Sequence, residues 1–229
     1  MSYFRSYFEK NNTILKESFV NTAKNPNTEI FYGDGFSKFI FKVDLTQLKA
    51  KIDDGTYVVT DNTTHKLKLT NTIFGDEAFR GQKRGSGRER TTSFDLILFK
   101  LNEFWDEGVG FDYLEGYDLT TGNETYDERP SNWYNRTSLD TWSSAGIYST
   151  SPTILQTIHF DNGNEDIDVD ITNYVNGIVV SGNTNHGLGL AFAVAYQDIT
   201  PEVEQSVSFL QNTPKPFLNH MLRHILKIE

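Results

Sequence analysis

Four groups of side chains in this sequence are of types that could do chemistry. Asp161, Glu165, Asp166, Asp168 and Asp170 form a dense carboxylate cluster, and hard oxygens at such density are what a calcium ion requires. Their spacing is not that of an EF-hand loop, which needs a mid-loop glycine and a closing glutamate. Asp166, Asp168 and Asp170 instead alternate with Ile167, Val169 and Ile171, as the solvent face of a strand does. His220 and His224 read His-x-x-x-His. On a helix that spacing puts both imidazoles on one face, as zinc needs; on a strand it leaves them more than ~10 Å apart. No glutamate adjoins the first histidine, and His65, His159 and His186 have no evident link to the pair. The chain has no Gly-x-Ser-x-Gly elbow, phosphate loop or His-Glu-x-x-His. The expectation is a protein without cofactor or metal, and not an enzyme.

The other two groups suit binding. Residues 81–90, GQKRGSGRER, hold Lys83, Arg84, Arg88 and Arg90 among Gly81, Gly85 and Gly87. A loop of this kind can stay solvated, clamp the acidic face of a neighbouring copy with its guanidinium forks, or hold phosphate. Formal net charge is −10, which repels a nucleic acid backbone and favours protein partners or cations. Trp105, Trp133 and Trp142, with Phe104, Phe111, Tyr113, Tyr117, Tyr126, Tyr134 and Tyr148, mark a long stretch rich in glycine and asparagine. Those rings could stack on sugars, plug neighbouring subunits, or fold back over one end of the domain. A smaller aromatic group, Tyr3, Phe4, Tyr7 and Phe8, alternates with polar residues in the first ten positions, which read as a short helix or as an arm that docks elsewhere.

The elements that must position these groups are mostly strands. Aromatics make up 14% of the chain, with 17 Phe and 11 Tyr, and such residues favour pleated, half-buried surfaces. Residues 36–45, FSKFIFKVDL, place Phe39, Phe41 and Val43 on one face and Lys38, Lys42 and Asp44 on the other, with Ile40 breaking the polar side. Residues 65–74 alternate through Leu67, Leu69 and Ile73, and residues 91–101 through Phe94, Leu96 and Leu98. Residues 154–160 form a fourth strand, and residues 187–196 a fifth, apolar enough to be buried on both faces. Residues 207–210 and 222–228 complete the set. Residues 166–180 fit a strand running into one helical turn, and no helix of three or more turns is expected. Many short strands with turns between them close as a sandwich or as a barrel.

There is no cysteine, which excludes disulfides and thiolate chemistry and suits a reducing cytoplasm. The first ten residues are too short and too polar for a secretory leader. No run approaches the roughly 20 apolar residues of a membrane span.

The order of several short motifs resembles one family. The segment FSKFIFKVDLTQLKAKI at residues 36–52 resembles the aromatic-Lys/Arg-Phe-Asp-Leu motif of DNRLRE-type β-sandwich domains. Trp105-Asp106-Glu107-Gly108 looks like the family's Trp-x-Glu-Gly. Ser131-Asn132-Trp133, Thr137-Ser138 and Trp142 are similar to its Asn-Trp…Thr…Trp stretch. Residues 168–175 resemble its Asp-(Val/Ile)-Thr-x-x-Val segment, and residues 185–190 its Asn-x-Gly-Leu-x-Leu strand, with residues 206–210 and 226–229 resembling the closing pair. The resemblance covers roughly residues 13–229 and departs from the family around residues 117–129 and 219–224.

Such domains occur in secreted multidomain proteins and as virion components of crAss-like and related tailed phages. The resemblance implies a single jelly-roll-like antiparallel β-sandwich over residues 13–229, preceded by an N-terminal arm at residues 1–12. It also implies a virion structural role in a neck or tail ring, with the protein made in the host bacterial cytoplasm. The expected partners are other copies of the chain and portal, neck or tail proteins, and neither membrane nor nucleic acid. The expected contact residues are Lys83, Arg84, Arg88, Arg90, Trp105, Trp133, Trp142, Tyr3 and Phe4. The alternative is a carbohydrate-binding adhesion module.

Overall fold

The computed structural model describes residues 2–25, 27–32, 36–71, 93–110, 117–118, 123–124, 131–148, 152–193, 205–210 and 222–226. Within them the chain is an all-β fold of antiparallel sheets, with two short helices. The strands are β1 (Ser2–Ser6), β2 (Phe8–Leu15), β3 (Asn27–Tyr32), β4 (Ser37–Val43), β5 (Thr63–Leu69), β6 (Phe94–Lys100), β7 (Tyr117–Asp118), β8 (Asn123–Glu124), β9 (Thr153–Phe160), β10 (Ile167–Asp170), β11 (Leu188–Phe192), β12 (Gln205–Leu210) and β13 (Leu222–Leu226). Helix α1 spans Thr46–Asp53 and α2 spans Thr172–Val179.

One sheet has four strands in the order β1-β13-β5-β10, and the second has five, β2-β4-β11-β6-β9. Two-stranded ribbons pair β12 with β3 and β7 with β8. The alternation in β4 builds the inner face of the five-stranded sheet. Phe39 and Phe41 lie opposite Leu190 and Leu188 of β11, which lie opposite Leu98 and Lys100 of β6. Leu67 and Leu69 of β5 and Ile167 and Val169 of β10 join the same core. Phe39, Phe41, Leu67, Leu69, Leu96, Leu98, Leu188 and Leu190, the inward positions read from the sequence, are each at most 1% exposed.

Part of the outer face of the five-stranded sheet is buried too, while Asp95, Thr157 and His159 stay exposed. Ile40, Gly189 and Phe99 stand in register across it, and both Ile40 and Phe99 are fully buried. Gly189 has no room for a larger residue, because a Cβ there would lie 2.2 Å from the Phe99 ring. Phe99 packs edge-on against Tyr148 at 5.2 Å between centroids.

Both edges of this sheet carry a bulge. Pairing with β4 steps from Phe8 to Lys10 and leaves Glu9 over. Pairing with β6 steps from Gln156 to Ile154 and leaves Leu155 over. A bulge bends its strand and breaks the ladder locally.

Residues 2–12, expected as an arm, lie in β1 and β2, one strand in each of the two large sheets. Residues 172–179 take the helical alternative, with Val175 and Val179 buried one turn apart.

Candidate functional site

Several of the buried polar groups among the described residues gather at the outer face of β2 and β4. Cross-strand register puts Lys10 beside Lys42, Asn12 beside Ile40 and Ile14 beside Lys38. A polar side chain buried there needs partners, and the segments 101–110 and 131–148 supply them.

Asn12 is fully buried. Its Nδ2 donates to the carbonyl and hydroxyl oxygens of Ser131 at 2.8 and 2.9 Å, and its Oδ1 accepts from the Thr22 amide. Asn21, also fully buried, donates to the carbonyls of Glu107 and Ser131, both at 2.8 Å. Its Oδ1 accepts the amides of Ala23 and Gly110. One asparagine thus ties both outer segments to the turn after β2. Gly110 is required for that approach: a Cβ there would sit 1.8 Å from the Asn21 carbonyl oxygen. Glu107 adds an ion pair to Lys24 at 2.6 Å and accepts the Asn11 amide.

The three tryptophans, expected as contact residues, lie inside this arrangement, folded back over the domain. Trp105, Trp133 and Trp142 are 0%, 8% and 4% exposed. The indole N–H of Trp105 donates to the His186 carbonyl, and that of Trp142 to the Asn132 carbonyl, both at 2.9 Å. Trp133 meets Phe36 edge-on at 5.2 Å. An indole pays little to be buried once its N–H has an acceptor; here each ring body covers the outer face. The apolar side chains that these segments do present to water are Phe104, Val109 and Leu139.

Lys38 is the unexpected member. Alternation in β4 placed it in solvent, yet it is 2% exposed. Its Nζ donates to the Gly146 carbonyl at 2.7 Å and lies 5.0 Å from the Trp133 ring and 3.4 Å from the Tyr148 ring. Burial lowers its pKa to about 7. The unfolded chain keeps this proton up to the ordinary lysine range, so between those values the unfolded state binds more protons. The stability set by this residue therefore rises with pH from about 7 upward. Wild type compared with Lys38→Met by urea denaturation should gain by up to about 1.4 kcal/mol per pH unit across that window.

Lys10 repeats the theme at the other end. It donates to the Trp105 carbonyl and lies over the Phe104 and Trp105 rings at 4.3 and 4.6 Å. Its pKa is lowered by burial and by the charge of Lys42.

A cavity of about 420 Å³ opens beside this region, lined by Phe99, Lys100, Glu103, Trp142, Tyr148 and Pro152 among others.

The carboxylate cluster serves local structure. Asp168 pairs with Lys66 and Lys68 across β5, and Asp170 accepts the first amide of α2 at 2.7 Å. Asp166 accepts the Asn71 amide, and Glu165 those of Asp161 and Asn162. His159 lies between Asp95 and Asp161 at 2.7 and 3.2 Å, and the Asp95 hydrogen bond raises its pKa. Among the described residues no group of three or more His, Cys, Asp or Glu could hold a metal. His224 lies in β13 opposite His65, and His65 is fully buried with Nε2 3.1 Å from Asn176 Oδ1.

Phe4 is half-buried against the core, and Tyr3 lies in β1. Lys83, Arg84, Arg88, Arg90 and His220 lie outside the described residues. No helix among the described residues is long and apolar enough to cross a membrane. No model of a known protein family matches the chain, and no curated protein matches it in sequence.

Proposed function

We propose that the chain is a non-catalytic structural protein of a tailed-phage virion, a jelly-roll-like block that assembles with copies of itself and other virion proteins into a neck or tail ring. The observation that carries this reading is the way residues 101–110 and 131–148 are held. Buried amides and the Trp105 indole tie them to the rest of the fold, so that Phe104, Val109 and Leu139 are held out in water at fixed positions. A contact surface that is already rigid loses little entropy when a neighbour docks. The residues that carry the family resemblance are structural here: Trp105, Glu107 and Trp133 bind outer segments to the rest of the fold, and Asn132 and Trp142 hold residues 131–148 together. They support a likeness of fold, and the ring assignment is inferred from it.

An acidic chain with a basic segment at residues 81–90 should associate through charge, and exposed ion pairs weaken with salt. Light scattering of the purified protein is expected to give a large, discrete oligomer at low salt that loosens at high salt. Arg84→Glu with Arg88→Glu is expected to reduce incorporation into particles. A protein that is monomeric at every salt concentration, alone and with its virion neighbours, would overturn the reading.

A second reading, a carbohydrate-binding module, draws on the cavity, where Tyr148 and Trp142 border Lys100 and Glu103. Saturable binding of one glycan by a monomer would favour it.

A further inference from the structure

We propose that β1 is an exchangeable strand, so that in the assembled protein residues 2–6 of one copy fill the place beside β13 of another. This rests on the assembly reading above and specifies one contact within it. The argument begins with connectivity. β1 lies at the edge of the four-stranded sheet, while β2, which follows it, belongs to the five-stranded sheet. A single residue, Tyr7, joins them. Short hinges between packed elements are the ones that invite exchange, because straightening the connection relieves the turn.

The two sides of Tyr7 are held differently. On the β2 side, the Asp44 amide donates to the Tyr7 carbonyl at 2.8 Å, and Asn11, Asn12 and Thr13 are buried in the body of the fold. On the β1 side, the ladder partner is β13, from Ser2 opposite Leu226 to Ser6 opposite Leu222, and the strand also lies near α1 rather than against the five-stranded sheet. β1 can therefore leave without disturbing the five-stranded sheet.

The occupant of the vacated place follows from the structure itself. Half-buried Phe4 and buried Ser6 already fit there, and the same segment from a second copy makes identical contacts. The surface that gives the strand differs from the surface that receives it. Reciprocal exchange closes a dimer, and sequential exchange runs head to tail and closes a ring when the rotation between copies closes.

The absence of cysteine from the sequence makes the test clean. Phe4 and His224 are register partners, and opposed residues of an antiparallel pair lie within reach of a disulfide. The doubly substituted protein, Phe4→Cys with His224→Cys, is assembled, oxidised and run on a denaturing gel without reductant. Covalent dimers or a ladder that collapses on reduction, absent from each single-cysteine variant, are expected. If the oligomer persists by light scattering but every disulfide is intramolecular, the exchange is wrong and the assembly reading stands. Intramolecular disulfides in a protein that is monomeric throughout would overturn both. Ser6→Cys with Leu222→Cys, a second register pair, covers the case in which loss of Phe4 prevents folding. Failure of both pairs to form any disulfide also overturns the proposal.

Discussion

Trp105→Ala is expected to destabilise the protein by about 3–5 kcal/mol, the range for removing a large aromatic from a packed core. The side chain is fully buried, and its N–H is the donor to the His186 carbonyl. Truncation leaves a cavity under Lys10, whose ammonium lies over the same ring, and leaves the part-buried His186 carbonyl without its donor, which adds to the loss. Leu139→Ala on the same outer surface should change stability by less than about 0.5 kcal/mol, since Leu139 is 93% exposed. Urea denaturation of both variants measures the contrast. Similar small effects for the two would mean that the tryptophan is not part of the core.

Asn21→Asp, which keeps size and shape, is expected to cost about 3 kcal/mol or more. The amide donates to two carbonyls, at Glu107 and Ser131, and accepts from two backbone amides. A carboxylate keeps the acceptors but turns both donors into repulsive contacts, and it buries a charge with no cation on it. Because Asn21 joins residues 101–110 and 131–148 to one point, hydrogen exchange should speed up in both segments together. Unchanged protection in either one would show that it is held by other contacts. Lowering the pH should restore part of the stability, as protonation removes the buried charge.

The strands that face a single core were legible because they obey period two. Phe39, Phe41 and Val43 announce themselves in β4, and Leu67 with Leu69 in β5. The outer face was not legible by the same rule. Ile40, the residue that broke the polar side of β4, was the visible sign that this side is also covered. Lys38 and Asn12 gave no such sign, since their partners at Gly146 and Ser131 lie 108 and 119 positions away, and no local pattern reports a contact at that range. β2 reads FEKNNTIL, polar enough to pass for a loop, and its burial depends on those distant segments. Helix α1 is short, but Leu45, Leu48 and Ile52 do carry helical spacing, with Lys49 paired to Asp53 one turn on. The tryptophans were legible as important, but whether they cover their own domain or meet a partner was left open. Residue type shows that an indole will be buried somewhere, and only the fold shows whether that is within its own chain.

The bulges at Glu9 and Leu155 bear on how the chain avoids stacking on its neighbours at high concentration. An unblemished sheet edge is a template for the next chain, and repetition of that step gives fibres. On the five-stranded sheet each border strand carries a residue out of step, so a second molecule laid alongside loses its hydrogen-bond rhythm within a few positions. Crowding then has no easy path to endless stacking along that sheet, and self-recognition is left to surfaces that can be counted and closed.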